Sequence, residues 1–231
     1  MKYKWLHSAN TKDSLVKDLI IFMGGFGSDP CHFHHLKIYD CDVVMFYDYR
    51  DLNTLNSYNT HDIFKNLSYY RHIYLIAFSL GVCVANAMFS SIWEQFTHTL
   101  AINGTPLGVD KIYGIPPVLF RRTMKHLDSQ QFRTGLLGHR LDAHFTLRDN
   151  QALRDELGAL YEFSQSIHSH QCQRWEYALI SRNDEIFPPE ANKQYWLSQS
   201  PQNTRILWSN EPHFVFFNFT SWEELCHLQK Y

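Results

Sequence analysis

Ser79, Asp184 and His213 are the residues of this chain whose types and order suit nucleophilic chemistry. Ser79 lies in Ala77-Phe78-Ser79-Leu80-Gly81, after the apolar run His72 to Ala77 and before a stretch with Val82, Ala85, Met88 and Phe89 at helical spacing. A serine on a sharp strand-to-helix turn presents its hydroxyl, and small residues two before and two after let strand and helix pass closely. The helix N-terminus behind it favours developing negative charge. Ala77 stands where a glycine is usual, a departure of one methyl. Asp184 sits in Ser181-Arg182-Asn183-Asp184-Glu185-Ile186-Phe187-Pro188-Pro189, and His213 in Glu211-Pro212-His213-Phe214. A serine hydroxyl is a weak nucleophile until a neutral imidazole takes its proton, and a carboxylate fixes that imidazole's tautomer.

Gly24-Gly25-Phe26-Gly27 follows another apolar run, where backbone N–H groups can face a substrate oxygen. The N–H groups of Phe26 and Leu80 are the candidate oxyanion donors. A phosphate or dinucleotide loop is the competing reading, but the full G-x-G-x-x-G is missing and no Gly-Lys-Ser/Thr follows. Among rivals for the acid and base, Glu185 adjoins Asp184, His227 falls within the last helical stretch, and Asp48 and Asp51 read as caps or turn residues. The fourteen histidines are densest at Cys31-His32-Phe33-His34-His35 and at His168-Ser169-His170-Gln171-Cys172. Neither group has a metal-ligand frame such as CxxC or HExxH, so polar loop histidines are expected and no metal or cofactor is called for.

These loops need a scaffold that gathers them on one edge. Leu19 to Met23, Val43 to Tyr47, His72 to Ala77, Thr99 to Ile102, Trp175 to Ile180 and Thr204 to Trp208 read as strands, mostly short continuous apolar runs of the kind buried on both faces. Helices are expected over 81–91, 190–198 and 222–229, the last capped by Thr220 or Ser221. This alternation implies an α/β fold with a mostly parallel sheet, in one domain spanning residues 1–231. Residues 107–170 are too many for one crossover helix. Val118-Leu119-Phe120 with Met124 and Leu127, then Leu153, Leu157, Leu160, Tyr161 and Phe163, mark helices there. They are read as a helical insertion capping the sheet's C-terminal edge, with ordinary flanking helices and a long loop as the alternative.

Lys plus Arg number 21 against 23 Asp plus Glu, so no global field draws a polyanion and nucleic acid is not an expected partner. No run reaches the roughly 18 apolar residues of a membrane span. Residues 1–10 lack the apolar core of a signal peptide. Five scattered cysteines read as reduced, mostly buried thiols. A cytoplasmic protein is expected.

The sequence resembles the α/β-hydrolase superfamily over its whole length. Within it, the chain is similar to the short pimeloyl-[acyl-carrier protein] methyl ester esterases of biotin synthesis. The resemblance rests on Phe22-Met23-Gly24-Gly25-Phe26-Gly27, the Ser79 pentapeptide, Asn103-Gly104-Thr105-Pro106, Asn183-Asp184 with Pro188, and Pro212-His213-Phe214. The His-Gly of common hydrolases is replaced here by Gly24-Gly25. The resemblance implies a serine carboxylesterase that needs no cofactor and acts on an acyl chain carried by acyl-carrier protein. Arg121, Arg122, Lys125, Arg133, Arg140 and Arg148 would then offer an acidic carrier a basic surface, Arg121 and Arg122 foremost. Asp128, Asp142, Asp149, Asp155 and Glu156 in the same stretch leave a solvated surface of mixed charge as the alternative. An esterase or thioesterase for small acyl substrates, and a non-catalytic binding protein on the same fold, are the rival functions.

Overall fold

A computed structural model describes residues 1–7, 17–52, 67–141, 144–167, 172–198 and 204–228. Strands β1 (Lys2–His7), β2 (Asp18–Met23), β3 (Cys41–Tyr47), β4 (Ile73–Phe78), β5 (His98–Ile102), β6 (Tyr177–Ser181) and β7 (Arg205–Ser209) form one sheet in the order β1-β3-β2-β4-β5-β6-β7. Only β1 runs antiparallel to its neighbour. The six parallel strands coincide, within a residue or two, with the six predicted runs. Burial on both faces makes such strands apolar throughout, and β4 is buried at every position. β1 was not predicted. It is an edge strand whose exposed lysines, Lys2 and Lys4, interrupt any apolar run and guard the edge against further pairing.

Alternate residues of β2 enter two cores. Leu19, Ile21 and Met23 join one with Val82, Ala85, Trp175 and Trp196, while Ile20 and Phe22 join the other with Phe33, Phe214, Phe216 and Trp222. In the second core, Phe22 meets Phe33 and Trp222 edge-on with centroids 4.9 and 5.0 Å away. Close aromatic pairs of this sort make a stiff floor beneath the loop after β7.

Helix α1 (Leu80–Met88) follows β4. Between β5 and β6 come α2 (Pro117–Lys125), α3 (Ser129–Leu137) and α4 (Asn150–Ser166), followed later by α5 (Pro189–Ser198) and α6 (Trp222–Cys226). Asp128 and Asp149 accept from the first-turn N–H groups of α3 and α4, so these acids start helices. Ser221 is the cap of α6, which ends earlier than predicted. On α2 only Phe120 is buried, and it stacks on Tyr161 of α4 at 5.8 Å. Val118 and Leu119 face outward, 69% and 52% exposed, although their spacing counted them toward a buried face. The cysteines are all free, but only Cys41 and Cys83 are buried and Cys31 is exposed.

Candidate active site

β2 is followed by β3 on one side of it and β4 by β5 on the other, so the loops leaving the neighbouring strands β2 and β4 diverge, and a crevice opens at the carboxyl ends of the strands. Ser79 stands at the tip of β4 with φ 56° and ψ −129°, a left-handed backbone that costs a non-glycine residue roughly 1–3 kcal/mol. Its neighbours enforce that turn. A Cβ on Gly81 would lie 2.3 Å from the Gly24 carbonyl oxygen, and one on Gly104 would lie 2.2 Å from that of Ser79. Ala77 pairs with Ala101 on β5 and with Met23 on β2 and is fully buried.

The Ser79 hydroxyl donates to His213 Nε2 at 2.9 Å, and His213 Nδ1–H donates to Asp184 Oδ2 at 2.6 Å. The other carboxylate oxygen, Oδ1, accepts from the N–H groups of Ile186 and Phe187, both at 2.8 Å. Both oxygens are thereby fixed, and one is aimed at the imidazole. Adjacent Glu185 is exposed, and His227 caps the end of α6. Asn103, at the tip of β5, holds the histidine loop: its Nδ2 donates to the His213 carbonyl at 2.7 Å and to Ser181 Oγ at 2.9 Å, while its Oδ1 accepts from Ser181 N–H at 2.7 Å. Phe78 packs on the His213 ring at 4.8 Å.

The glycine turn lies against this group, since a Cβ on Gly25 would come within 2.9 Å of Ser79 Cβ. Its polar groups are used in a telling pattern. Gly24 N–H donates to the Phe46 carbonyl, the Gly24 carbonyl accepts from the Tyr49 hydroxyl at 2.7 Å, and Gly27 N–H donates to Glu156 Oε2 at 3.1 Å. Phe26 N–H has no partner among the described residues. As the first residue of α1, Leu80 likewise has an N–H without an acceptor inside its helix.

A buried charge network adjoins the turn. Asp48, with φ 56° at the tip of β3, accepts from Arg50 at 2.7 Å and forms ion pairs with Lys2 and Arg148, both at 2.9 Å. Burial works to raise its carboxyl, but these cations hold it well below the usual carboxylate range. Arg148 also pairs with Glu156, whose carboxyl is pushed up by complete burial despite that contact. Neither Glu156 nor Arg148 is therefore part of a solvated mixed surface.

Of the remaining cations of residues 107–170, Arg140 pairs with Glu211 at 3.0 Å, and Arg133 donates to the Phe145 and Leu141 carbonyls. Arg121 and Arg122 stand exposed on α2, with Arg121 donating to the Tyr161 hydroxyl at 2.9 Å. His32 and His35 bond backbone carbonyls of Thr146 and Phe216. No group of three or more His, Cys, Asp or Glu among the described residues is arranged to hold a metal, and His168 and His170 lie outside those residues. No described helix is long and apolar enough to cross a membrane.

The mostly parallel sheet, its flanking helices and the serine turn after β4 define an α/β-hydrolase fold. Residues 8–225 match the pimeloyl-ACP methyl esterase BioG family, and the chain belongs to that family. A crystal structure of BioG from Haemophilus influenzae is 30% identical, with a TM-score of 0.79, over 97% of this chain and 99% of that one. An uncharacterized protein of Haemophilus influenzae is 31% identical over 215 residues, 90% of this chain and 93% of that protein. A Bacteroides fragilis protein named malonyl-[acyl-carrier protein] O-methyltransferase is 31% identical over 191 residues. The match takes in 79% of this chain but only 37% of that much longer relative.

Proposed function

We propose that the chain is a serine esterase that hydrolyses the methyl ester of a pimeloyl group carried on acyl-carrier protein, as a step of biotin synthesis. The observation that carries this reading is the unbroken hydrogen-bonded series Ser79–His213–Asp184 in a member of the BioG family. Ser79 Oγ attacks the ester carbonyl while His213 Nε2 takes its proton. The tetrahedral oxyanion accepts from the Phe26 and Leu80 N–H groups. Collapse expels methanol, protonated by His213, and leaves an acyl-Ser79 ester. Water, deprotonated by His213, then attacks that ester and releases the free carboxylate. Asp184 holds the imidazole in the Nδ1–H tautomer and stabilises its protonated form. No cofactor enters these steps.

Residues 107–170 act in this reading as the cap of a single domain. In support, Phe132 of α3 packs on Phe26 at 4.9 Å, and Leu147, Leu153 and Phe132 surround Gly27. Ser79 beside this turn is 3% exposed. Arg121 and Arg122 receive the acidic carrier. With Lys125 they pair with no carboxylate among the described residues, and Val118 and Leu119 on the same short helix add exposed apolar surface. The free cysteines agree with a reducing cytoplasmic setting.

The test is hydrolysis of pimeloyl-carrier-protein methyl ester by wild type and Ser79→Ala, beside a short p-nitrophenyl ester. Turnover of the carrier substrate that disappears in the variant supports the whole reading. Turnover of the short ester alone keeps the serine mechanism and removes the carrier substrate. A folded wild type that cleaves neither, and that a fluorophosphonate does not label, refutes the enzyme reading.

A further inference from the structure

Glu156 is a charged residue in a place where an apolar one would suffice. It lies on the face of α4 shared by Leu153, Leu157 and Leu160, and none of its surface reaches solvent. Taking a carboxylate out of water costs several kcal/mol unless its lone pairs are met. Here they are met by two backbone N–H groups from different loops: Gly27 at 3.1 Å, after β2, and Tyr49 at 3.0 Å, after β3. Arg148 supplies the counter-charge and ties the carboxylate to Asp48.

Gly27 N belongs to the peptide unit that begins at the Phe26 carbonyl. Fixing that unit fixes one side of Phe26. On the other side, the Gly25 carbonyl that shares a peptide unit with the Phe26 N–H accepts from Ser28 N–H at 3.1 Å, and one residue earlier the Gly24 carbonyl accepts from Tyr49, the residue whose own N–H Glu156 also holds. The Phe26 N–H between these anchors is the donor that has no partner of its own. We propose that Glu156 is a positioning residue for the oxyanion hole: by gripping Gly27 and Tyr49 it aims the Phe26 N–H at the reacting oxygen, and it makes that alignment depend on the seating of α4. This inference rests on the esterase reading above and adds a residue that touches no substrate.

The discriminating measurement compares a p-nitrophenyl ester with its thiono counterpart, in which sulfur replaces the carbonyl oxygen. Sulfur accepts hydrogen bonds weakly, so the ratio of oxo to thiono turnover reports oxyanion donation and is independent of the fraction folded. Glu156→Gln removes the charge and opposes an amide N–H₂ to backbone donors. Glu156→Asp keeps the charge facing Arg148 but withdraws the carboxylate by one methylene, and serves if the first variant does not fold. The expectation for either is a kcat lower by about 10- to 100-fold on the oxo ester, little change in KM, and an oxo-to-thiono ratio reduced about tenfold. Equal losses on both substrates, or an unchanged kcat, would overturn the positioning role while leaving the esterase intact. If Ser79→Ala turns over the oxo ester as wild type does, the esterase reading fails and this inference with it.

Discussion

Replacing Asn103 by glycine tests how far the histidine loop depends on one side chain. Glycine keeps the positive φ of 48° without strain, so the substitution isolates the amide. Three hydrogen bonds disappear: those to the His213 carbonyl, to Ser181 Oγ and from Ser181 N–H. At about 1 kcal/mol net apiece they amount to about 3 kcal/mol, and the buried Ser181 N–H left without an acceptor raises rather than lowers that figure. Urea unfolding followed by tryptophan fluorescence reads it directly. With a slope of about 3 kcal/mol per molar, the midpoint should fall by about 1 M. Because the His213 carbonyl is one of the groups released, kcat on a short ester should fall about tenfold or more under conditions where the variant is folded. A midpoint within 0.3 M of wild type, about 1 kcal/mol at that slope, would refute the hydrogen-bond accounting. Full kcat in the folded variant would refute the link from Asn103 to His213.

Further outcomes follow from single residues. Burial pushes the His32 imidazole below its ordinary value of 6.5, outweighing its bond to the Thr146 carbonyl. The unfolded chain therefore takes up that proton first, and stability present above pH 6.5 is lost as pH falls below it. Thermal melts from neutral to mildly acidic pH should show a shallower decline for His32→Gln than for wild type. A Cβ on Gly158, inside α4, meets nothing within 4 Å, so Gly158→Ala should add about 0.5–1 kcal/mol in urea unfolding. By contrast, Gly104→Ala drives a methyl into the Ser79 carbonyl and should cost about 3 kcal/mol or more. Reversing Arg121 and Arg122 to glutamate should lower kcat/KM on the carrier-bound ester about tenfold relative to the short ester, with the deficit shrinking as salt is raised.

The parallel strands and the order Ser79, Asp184, His213 are legible in the sequence because both arise from short-range constraints. Strands buried on both faces read as uninterrupted apolar runs, and the serine turn needs small residues at fixed offsets. What escapes is decided by tertiary surroundings. β1 alternates lysine with apolar residues because it sits on an edge, and α3 buries only its last turn, Gly135 to Leu137. Asn103 stands in a block that the family likeness marks, yet its three bonds come from residues far along the chain. Glu156 and Arg148 count as surface charges in a stretch of mixed sign, although one signal was available. With Leu153, Leu157 and Leu160, Glu156 completes the i, i+3, i+4, i+7 pattern of the buried face, and a carboxylate in that register must find partners inside.

Among the described residues, the non-glycine positions with positive φ are Asp48, Ser79 and Asn103, and they directly follow β3, β4 and β5. Three loops at the carboxyl edge of one sheet thus open on a positive φ. Each is locked by groups that also bear on Ser79, His213 or the glycine turn. The turn at Asp48 sets the charge that faces Arg148 and delivers the Tyr49 N–H to Glu156. The turn at Ser79 points the hydroxyl at His213. The turn at Asn103 places an amide under the loop that carries His213. Strain of roughly 1–3 kcal/mol at each position survives only where surrounding contacts over-determine it. The contacts that do so here also fix Ser79, His213 and the glycine turn. Glu156, on α4, links that helix to the glycine turn and to the turn after β3. The proposed cap thereby meets the proposed oxyanion hole both through the Glu156 carboxylate and through the packing of Phe132, Leu147 and Leu153 on the glycine turn.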